Sequence, residues 1–117
     1  MAGKITRQTF ISPDHAKVAA TQGDMYNVTP EGVKKVAVPD SVRESGSIPD
    51  GYAVDFVLDP ATVVSALKKA GYHNQEQLPP EVIEKVKEMI NEPGNLKIIP
   101  NEIHAQKRAA EIQVFGE

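Results

Sequence analysis

Apolar side chains recur at helical spacing in two segments of the second half of the chain, residues 60–70 and residues 80–91. They fall three, four and seven positions apart, which is the spacing of one buried helix face. The stripes consist of Val63, Val64, Leu67 and Ala70, and of Val82, Ile83, Val86, Met89 and Ile90. Asp59 and Pro60 are typical of a helix start, and Gly71 is typical of a helix end. We therefore predict a helix over each segment.

Strands are predicted where apolar and polar positions alternate or β-branched residues cluster. Tyr52–Leu58 alternates most clearly, and residues 33–38 and 96–99 are short β-branched runs. Together the elements predict an α+β fold, with a small, mostly antiparallel sheet and a two-helix layer packed on one of its faces. The predicted core is Val36, Val38, Val54, Phe56, Leu58, Val63, Val64, Leu67, Val82, Val86, Met89, Ile90, Ile98 and Ile99.

Proline and glycine interrupt every short run before residue 59, so long helices do not fit there. We predict a strand over Lys4–Ile11 and a short helix over residues 13–22. Thr29–Gly32 is interpreted as a turn, and residues 39–51 as a loop. This loop ends in a β-turn at Ile48–Gly51, since proline presets φ and glycine tolerates the later turn positions.

The chain end has two interpretations. Asn101 is a suitable cap for a last helix through about Ala110, whereas Ile112 and Val114 suit either that helix or a closing strand. The length of 117 residues is typical of one domain. We expect a single domain over residues 1–117, with a turn-rich half at 1–58 and a helix-pair core at 59–94.

Composition and charge exclude several classes of protein. The net charge of −3 is spread evenly along the chain, so no segment is basic enough for a nucleic-acid footprint, and nucleic acid is not an expected partner. The absence of cysteine excludes disulfides, thiolate zinc sites and thiol nucleophiles. No apolar run is long enough for a membrane span or follows the N-terminal charges as in a secretion signal. We expect a cytoplasmic protein.

Four residues are candidates for chemistry. His15, His73 and His104 are the side chains with near-neutral reference pKa, and Asp55 interrupts an apolar strand. The histidines are far apart in sequence and none has a metal-ligand spacing, so surface histidines are the favoured interpretation. A solvated strand face is the favoured interpretation of Asp55. We assign no catalytic, cofactor-binding or metal-binding residue, and we expect no cofactor.

The helix pair also suggests DNA binding. Val63–Leu67, followed by Gly71 and Tyr72 and then by Pro80–Val86, locally resembles the end of the DNA-binding headpiece of LacI-type repressors. The resemblance implies that the first helix of the pair reads bases. In this chain, the predicted strand Tyr52–Leu58 occupies the place of the helix that precedes the recognition helix in that headpiece. The first helix also offers no Arg, Asn or Gln for base edges.

We expect a small non-catalytic protein–protein interaction or assembly protein. It is an accessory subunit of the kind that phages or mobile elements encode, and self-association into a homo-oligomer is one form of this hypothesis. No phosphate-binding glycine loop or nucleophile elbow occurs in the sequence, so an enzyme is the less favoured class. The alternatives are a DNA-binding regulator that uses the helix pair 60–91 and a small enzyme with a dispersed site. The sequence does not identify a small-molecule ligand.

Overall fold

The computed structural model describes residues 3–115, and this range folds into six helices and four strands. The helices are α1 (Arg7–Phe10), α2 (His15–Gln22), α3 (Asp40–Ser45), α4 (Pro60–Lys69), α5 (Pro80–Ile90) and α6 (Asn101–Phe115). The strands are β1 (Asp24–Thr29), β2 (Gly32–Val36), β3 (Tyr52–Phe56) and β4 (Leu96–Pro100). Short 3₁₀ turns occupy Gln75–Gln77 and Pro93–Asn95.

The strands form one mixed sheet in the order β2-β1-β4-β3. The β1–β2 and β3–β4 pairs are antiparallel, and β1 runs parallel to β4. The predicted α+β class and the mostly antiparallel sheet are confirmed. The three strands predicted for the sheet, near residues 33–38, 52–58 and 96–99, are present as β2, β3 and β4, and β1 is an additional strand that we did not predict.

Most of the core lies on one face of the sheet, here called the inner face. The strand register places Met25 and Val54 on either side of Ile98, and Phe56 beside Leu96, so these side chains share that face. The buried cluster consists of Ile5, Phe10, Ala19, Ala20, Met25, Val42, Phe56, Val64, Ile90, Leu96 and Ile98. The cluster combines strand residues with residues from five helices. The inner face of the sheet therefore forms one side of the core, and the helices form the other.

The first correction concerns Lys4–Ile11, where we predicted a strand. Its centre is helix α1, which contacts both α4 and α5. Ile5 and Phe10 are both fully buried. In a strand these two residues would point to opposite faces, whereas a helical turn between them allows both to enter one core. The helix pair therefore packs into the core with α1 against both of its members.

Two further corrections fall in the first half. The predicted loop at residues 39–51 contains helix α3, which begins after Pro39 and ends at Gly46 in the left-handed conformation, φ 68°. Val42 is its one buried residue, so hydrophobic periodicity could not show it. The β-turn follows as predicted but is shifted by one residue, since the Tyr52 N–H donates to the Pro49 carbonyl at 3.2 Å.

Three predicted core residues are exposed. Leu58 lies past the end of β3, where the chain has left the sheet. Val82 and Met89 lie on the outer side of α5, because that helix turns Ile83, Val86 and Ile90 toward the core. The other eleven predicted core residues are buried or pack against the buried cluster. The apolar stripe that we predicted on α5 was therefore too wide, because Val82 and Met89 at its edges face solvent.

Two asparagines connect distant segments. The Asn91 amide donates to the Phe10 carbonyl at 2.8 Å and accepts the Ser12 N–H at 3.0 Å, which fastens the end of α1 to the end of α5. The Asn95 side chain accepts the Leu58 N–H at 2.7 Å and donates to the Leu58 carbonyl at 3.1 Å. These bonds satisfy backbone groups that the strand and helix ends leave open.

Residues 111–115 belong to α6, so the helical interpretation of the chain end is correct and the closing strand is wrong. The single domain that we expect over 1–117 extends past the described residues at both ends. Within residues 3–115, none of the helices combines the length and the apolar character that crossing a bilayer requires.

Candidate functional site

Strands β1 and β2 form a hairpin arm, residues 24–36, that projects from the sheet. Only Asp24 and Met25 pair with β4, while the rest of the arm pairs only within itself. The described residues span 44 × 30 × 19 Å with a radius of gyration of 15.4 Å. A compact domain of this length has a radius of about 13 Å. The larger radius is consistent with an arm that stands away from the body.

The turn of the arm determines its register. Thr29 Oγ1 donates to the Gly32 carbonyl at 2.8 Å, across the Pro30–Glu31 corner. Gly32 has φ of 113°, a conformation that residues with a Cβ rarely adopt. The turn was predicted from Thr29–Gly32, but the strand before it was not. The available signal was short: Tyr26 and Val28 alternate with Asn27 and Thr29 on the approach to that turn.

The arm presents an exposed apolar face. Val28 and Val33 lie directly opposite each other in the register, and they are 57% and 53% exposed. Tyr26 follows on the same face, paired with Lys35. Cross-strand valines stabilise a hairpin, but two that stay this exposed leave apolar surface in water.

The outer edge of β2 has no neighbouring strand in the described part of the chain. All of its residues except the last are exposed, and two of them are Lys34 and Lys35. The Lys35 ammonium lies 3.6 Å from the Asp24 carboxylate, and the lysine is largely and the aspartate partly exposed to solvent. Lysines on an edge strand oppose pairing with an identical edge, and they still leave the backbone groups open to a different strand.

A cleft of about 380 Å³ lies at the opposite edge of the sheet, along β3. It is bordered by α1 and α2 on one side and by the start of α6 on the other. His15 and His104 both line it. The fold therefore gathers two of the three histidines, although 89 positions separate them in the sequence.

The two histidines have different surroundings. The His15 ring stacks on Phe56 with a centroid distance of 5.8 Å, and its Nδ1 lies 2.9 Å from the Ser12 carbonyl oxygen. Burial lowers the pKa of His104, and the positive charge of Arg108 lowers it further, although the Asp55 carboxylate opposes both. The net effect lowers the pKa and so favours the neutral form of His104.

Asp55 does not lie on a solvated face. Its side chain is only 13% exposed, and Lys107 Nζ lies 2.8 Å from Oδ2. The same ammonium donates to the Phe56 carbonyl at 3.1 Å. The carboxylate therefore connects β3 to α6 through an ion pair. Our interpretation of Asp55 as a solvated strand residue is corrected, because α6 covers this face.

His73 lies away from the cleft, in a loop after α4. Its carbonyl accepts the Ile5 N–H at 2.9 Å, and its own N–H donates to Gln77 Oε1 at 2.8 Å. The loop therefore uses the backbone of His73, and its exposed ring is not brought near the other histidines. Among residues 3–115, no group of three or more histidines and carboxylates is arranged to hold a metal ion.

A buried acidic pair was missed from the sequence. Asp59 was predicted as the cap of α4, and its Oδ1 accepts the Ala61 N–H at 2.8 Å. The structure adds Arg7, whose guanidinium makes two bonds of 3.0 and 3.1 Å to the same carboxylate. Glu111 lies next to Asp59, and burial together with their shared hydrogen bond raises the pKa of Glu111. These contacts join α1, α4 and α6, and no local pattern indicates them.

Comparison with protein-family models, with curated proteins and with solved structures finds no match to this chain.

Proposed function

We propose that this chain is a small non-catalytic protein–protein interaction or assembly protein that engages its partner through the hairpin arm. The observation that carries the proposal is the outer edge of β2. Within residues 3–115 it is an unpaired strand edge, next to the exposed pair Val28 and Val33. Such an edge has open N–H and C=O groups that a partner strand can pair with, and the adjacent valines add apolar contact area.

The charge of β2 favours a different protein over a second copy. In antiparallel self-pairing centred on the two lysines, Lys34 of one copy would lie directly opposite Lys35 of the other. Like charges directly opposite each other destabilise a strand pair. A partner strand with acidic residues opposite Lys34 and Lys35 and an apolar residue opposite Val33 complements this edge. We therefore propose a heteromeric complex, with the chain as an accessory subunit, and homo-oligomerisation as the alternative arrangement.

The test compares stoichiometric partner recovery by tagged variants from the source cell. Val33→Asp, together with Lys34→Glu, should abolish recovery because it adds negative charge to the binding edge. Both side chains are exposed, so the melting temperature should stay within a few degrees of wild type. The matched control is Lys69→Glu, which changes an exposed lysine at the end of α4. This control should recover the partner normally.

Two results would contradict the proposal. If the β2 variant recovers the partner as well as the control does, the arm is not the binding surface. If the wild-type chain forms a stable dimer by light scattering and recovers no second protein, the heteromeric form is wrong.

The alternatives have less support. The segment before α4 is strand β3, so the helix that precedes the recognition helix in the repressor headpiece is absent. The cleft does gather two histidines, but the nearby carboxylates, Asp55 and Asp59, each pair with a cation. Both carboxylates are therefore already engaged and are not available to orient either histidine as a general base. A DNA-binding regulator and an enzyme with a dispersed site therefore remain the less favoured proposals.

A further inference from the structure

The edge of β3 that faces the cleft has unpaired backbone groups. The Asn101 N–H donates to the Gly51 carbonyl and the Val57 N–H donates to the Asn95 carbonyl, both at 2.9 Å. In an antiparallel pair, the residues that bond to the neighbour alternate with residues whose N–H and C=O point away. The odd-numbered residues here bond to β4. The even-numbered residues, Val54 and Phe56 among them, direct their backbone groups outward.

The Phe56 carbonyl supports this assignment, because its hydrogen bond comes from the Lys107 ammonium and not from β4. The Tyr52 N–H is also occupied, by the Pro49 carbonyl. Val54 differs from both. Its outward N–H and C=O have no hydrogen-bond partner among residues 3–115. The centre of the strand edge therefore has one donor and one acceptor available, at the spacing of a strand ladder.

The cleft around this edge has the shape and the chemistry for an extended chain. On the inner-face side, Ile11, Ile48 and Phe56 form an apolar wall. On the other side lies His104, held next to β3 by the first turns of α6. Because successive side chains of a strand point to opposite sides, alternating apolar and polar residues suit these two walls.

We propose that this cleft binds an extended peptide segment, which adds to the sheet as a strand next to β3. One residue of the peptide would exchange two main-chain hydrogen bonds with Val54, and its apolar neighbours would contact Ile11 and Ile48. A cleft of about 380 Å³ is within the range of ligand pockets, roughly 300–1,000 Å³, so it can enclose a few residues of such a segment. The site lies at the opposite edge of the sheet from the hairpin arm and does not depend on it.

The test uses amide NMR spectra of the ¹⁵N-labelled chain during titration with a defined probe. The probe is a six-residue peptide of alternating valine and threonine, blocked at both ends. A second probe carries N-methyl groups on its central residues, so it has the same side chains and cannot donate main-chain hydrogen bonds. The matched protein variants are Gln8→Trp, which fills the cleft from the exposed face of α1, and Gln8→Ala, which leaves it open.

We expect the unmodified peptide to shift the Val54 amide and to slow its hydrogen exchange at least tenfold. The N-methylated probe and the Gln8→Trp variant should each abolish these changes, whereas Gln8→Ala should retain them. An unchanged Val54 amide at millimolar peptide would overturn the proposal. Equal binding of the N-methylated probe would also overturn it, because the peptide would then bind through its side chains and not by strand pairing. Shifts confined to residues 32–36 would place the binding at the arm and would also overturn it.

Discussion

Replacing Asp59 with alanine should cost more stability than any change to an exposed carboxylate of this chain. Asp59 is 5% exposed and accepts two hydrogen bonds from Arg7 and one from the Ala61 N–H, in addition to the one it shares with Glu111. Burial raises the pKa of Asp59, but these bonds outweigh that effect and hold the pKa below its usual value. The carboxylate is therefore charged, and its removal leaves the Arg7 guanidinium without its bidentate partner.

The magnitude follows from two contributions. Removing one member of a buried ion pair costs about 3–5 kcal/mol, and losing a helix N-cap costs about 1 kcal/mol. Asp59 Oδ1 takes part in both contacts, so the two do not simply add. We expect a total loss of about 3–5 kcal/mol. With an m-value of about 2 kcal/mol per M of urea, this lowers the unfolding midpoint by roughly 1.5–2.5 M.

Equilibrium urea unfolding measures the effect, and two variants serve as controls. Asp59→Asn keeps a good N-cap but removes the charge, so it should fall between wild type and Asp59→Ala. Asp14→Ala changes an exposed residue at the N-cap of α2, where the side chain makes no capping bond, and should cost less than about 0.5 kcal/mol. If Asp59→Ala and Asp14→Ala unfold at the same urea concentration, the ion pair does not contribute to stability and the reasoning is wrong.

Three further predictions concern other contacts. Because the folded-state pKa of Glu111 lies above its unfolded value of about 4.5, its stabilising contribution is full below that pH and is lost as pH rises. Urea midpoints of the wild type should therefore fall relative to those of Glu111→Gln as the pH rises above about 4.5, and parallel profiles would contradict this. Asn95→Ala removes three hydrogen bonds to backbone groups and should cost about 2–3 kcal/mol in the same assay; an unchanged midpoint would refute it. A Cβ at Gly23 would lie 2.7 Å from two backbone carbonyl oxygens, one in α2 and one in β4, whereas a Cβ at Gly94 meets nothing within 4 Å. Gly23→Ala should therefore lower the melting temperature by several degrees and Gly94→Ala should leave it unchanged; equal effects would disprove the close approach.

Part of the candidate site could be predicted from the sequence. His15 and His104 were named because of their reference pKa, and both line the cleft. That they share one cleft depends on β3, which lies between α2 and the start of α6. His73 was named for the same reason and lies elsewhere, so residue type alone could not separate the three. The unpaired edge at Val54 has no sequence signal, because any strand looks the same whether its edge is covered or open.

The elements with strong local signals were predicted well. Helices α4 and α5 have start signals, stop signals and an apolar stripe within one segment, and strand β3 has its alternation within seven residues. Local interactions determine such elements, so the sequence alone determined them. Helix α3 has one buried residue, and in β1 the adjacent apolar residues Met25 and Tyr26 interrupt the alternation, so the periodicity of each was too short to predict it.

The tertiary structure decided what joins these elements. Arg7 meets Asp59 across 52 positions, and Asn91 meets Phe10 across 81. The segment around α1 is helical because a helical turn places both Ile5 and Phe10 in the core. Helices α4 and α5 complete that core. The sequence by itself thus determined an α+β chain, its main helices and most of its core. Which strand edges stay open, at β2 and at β3, depends on the strand order. That order is set by long-range pairing and burial, which no local segment specifies.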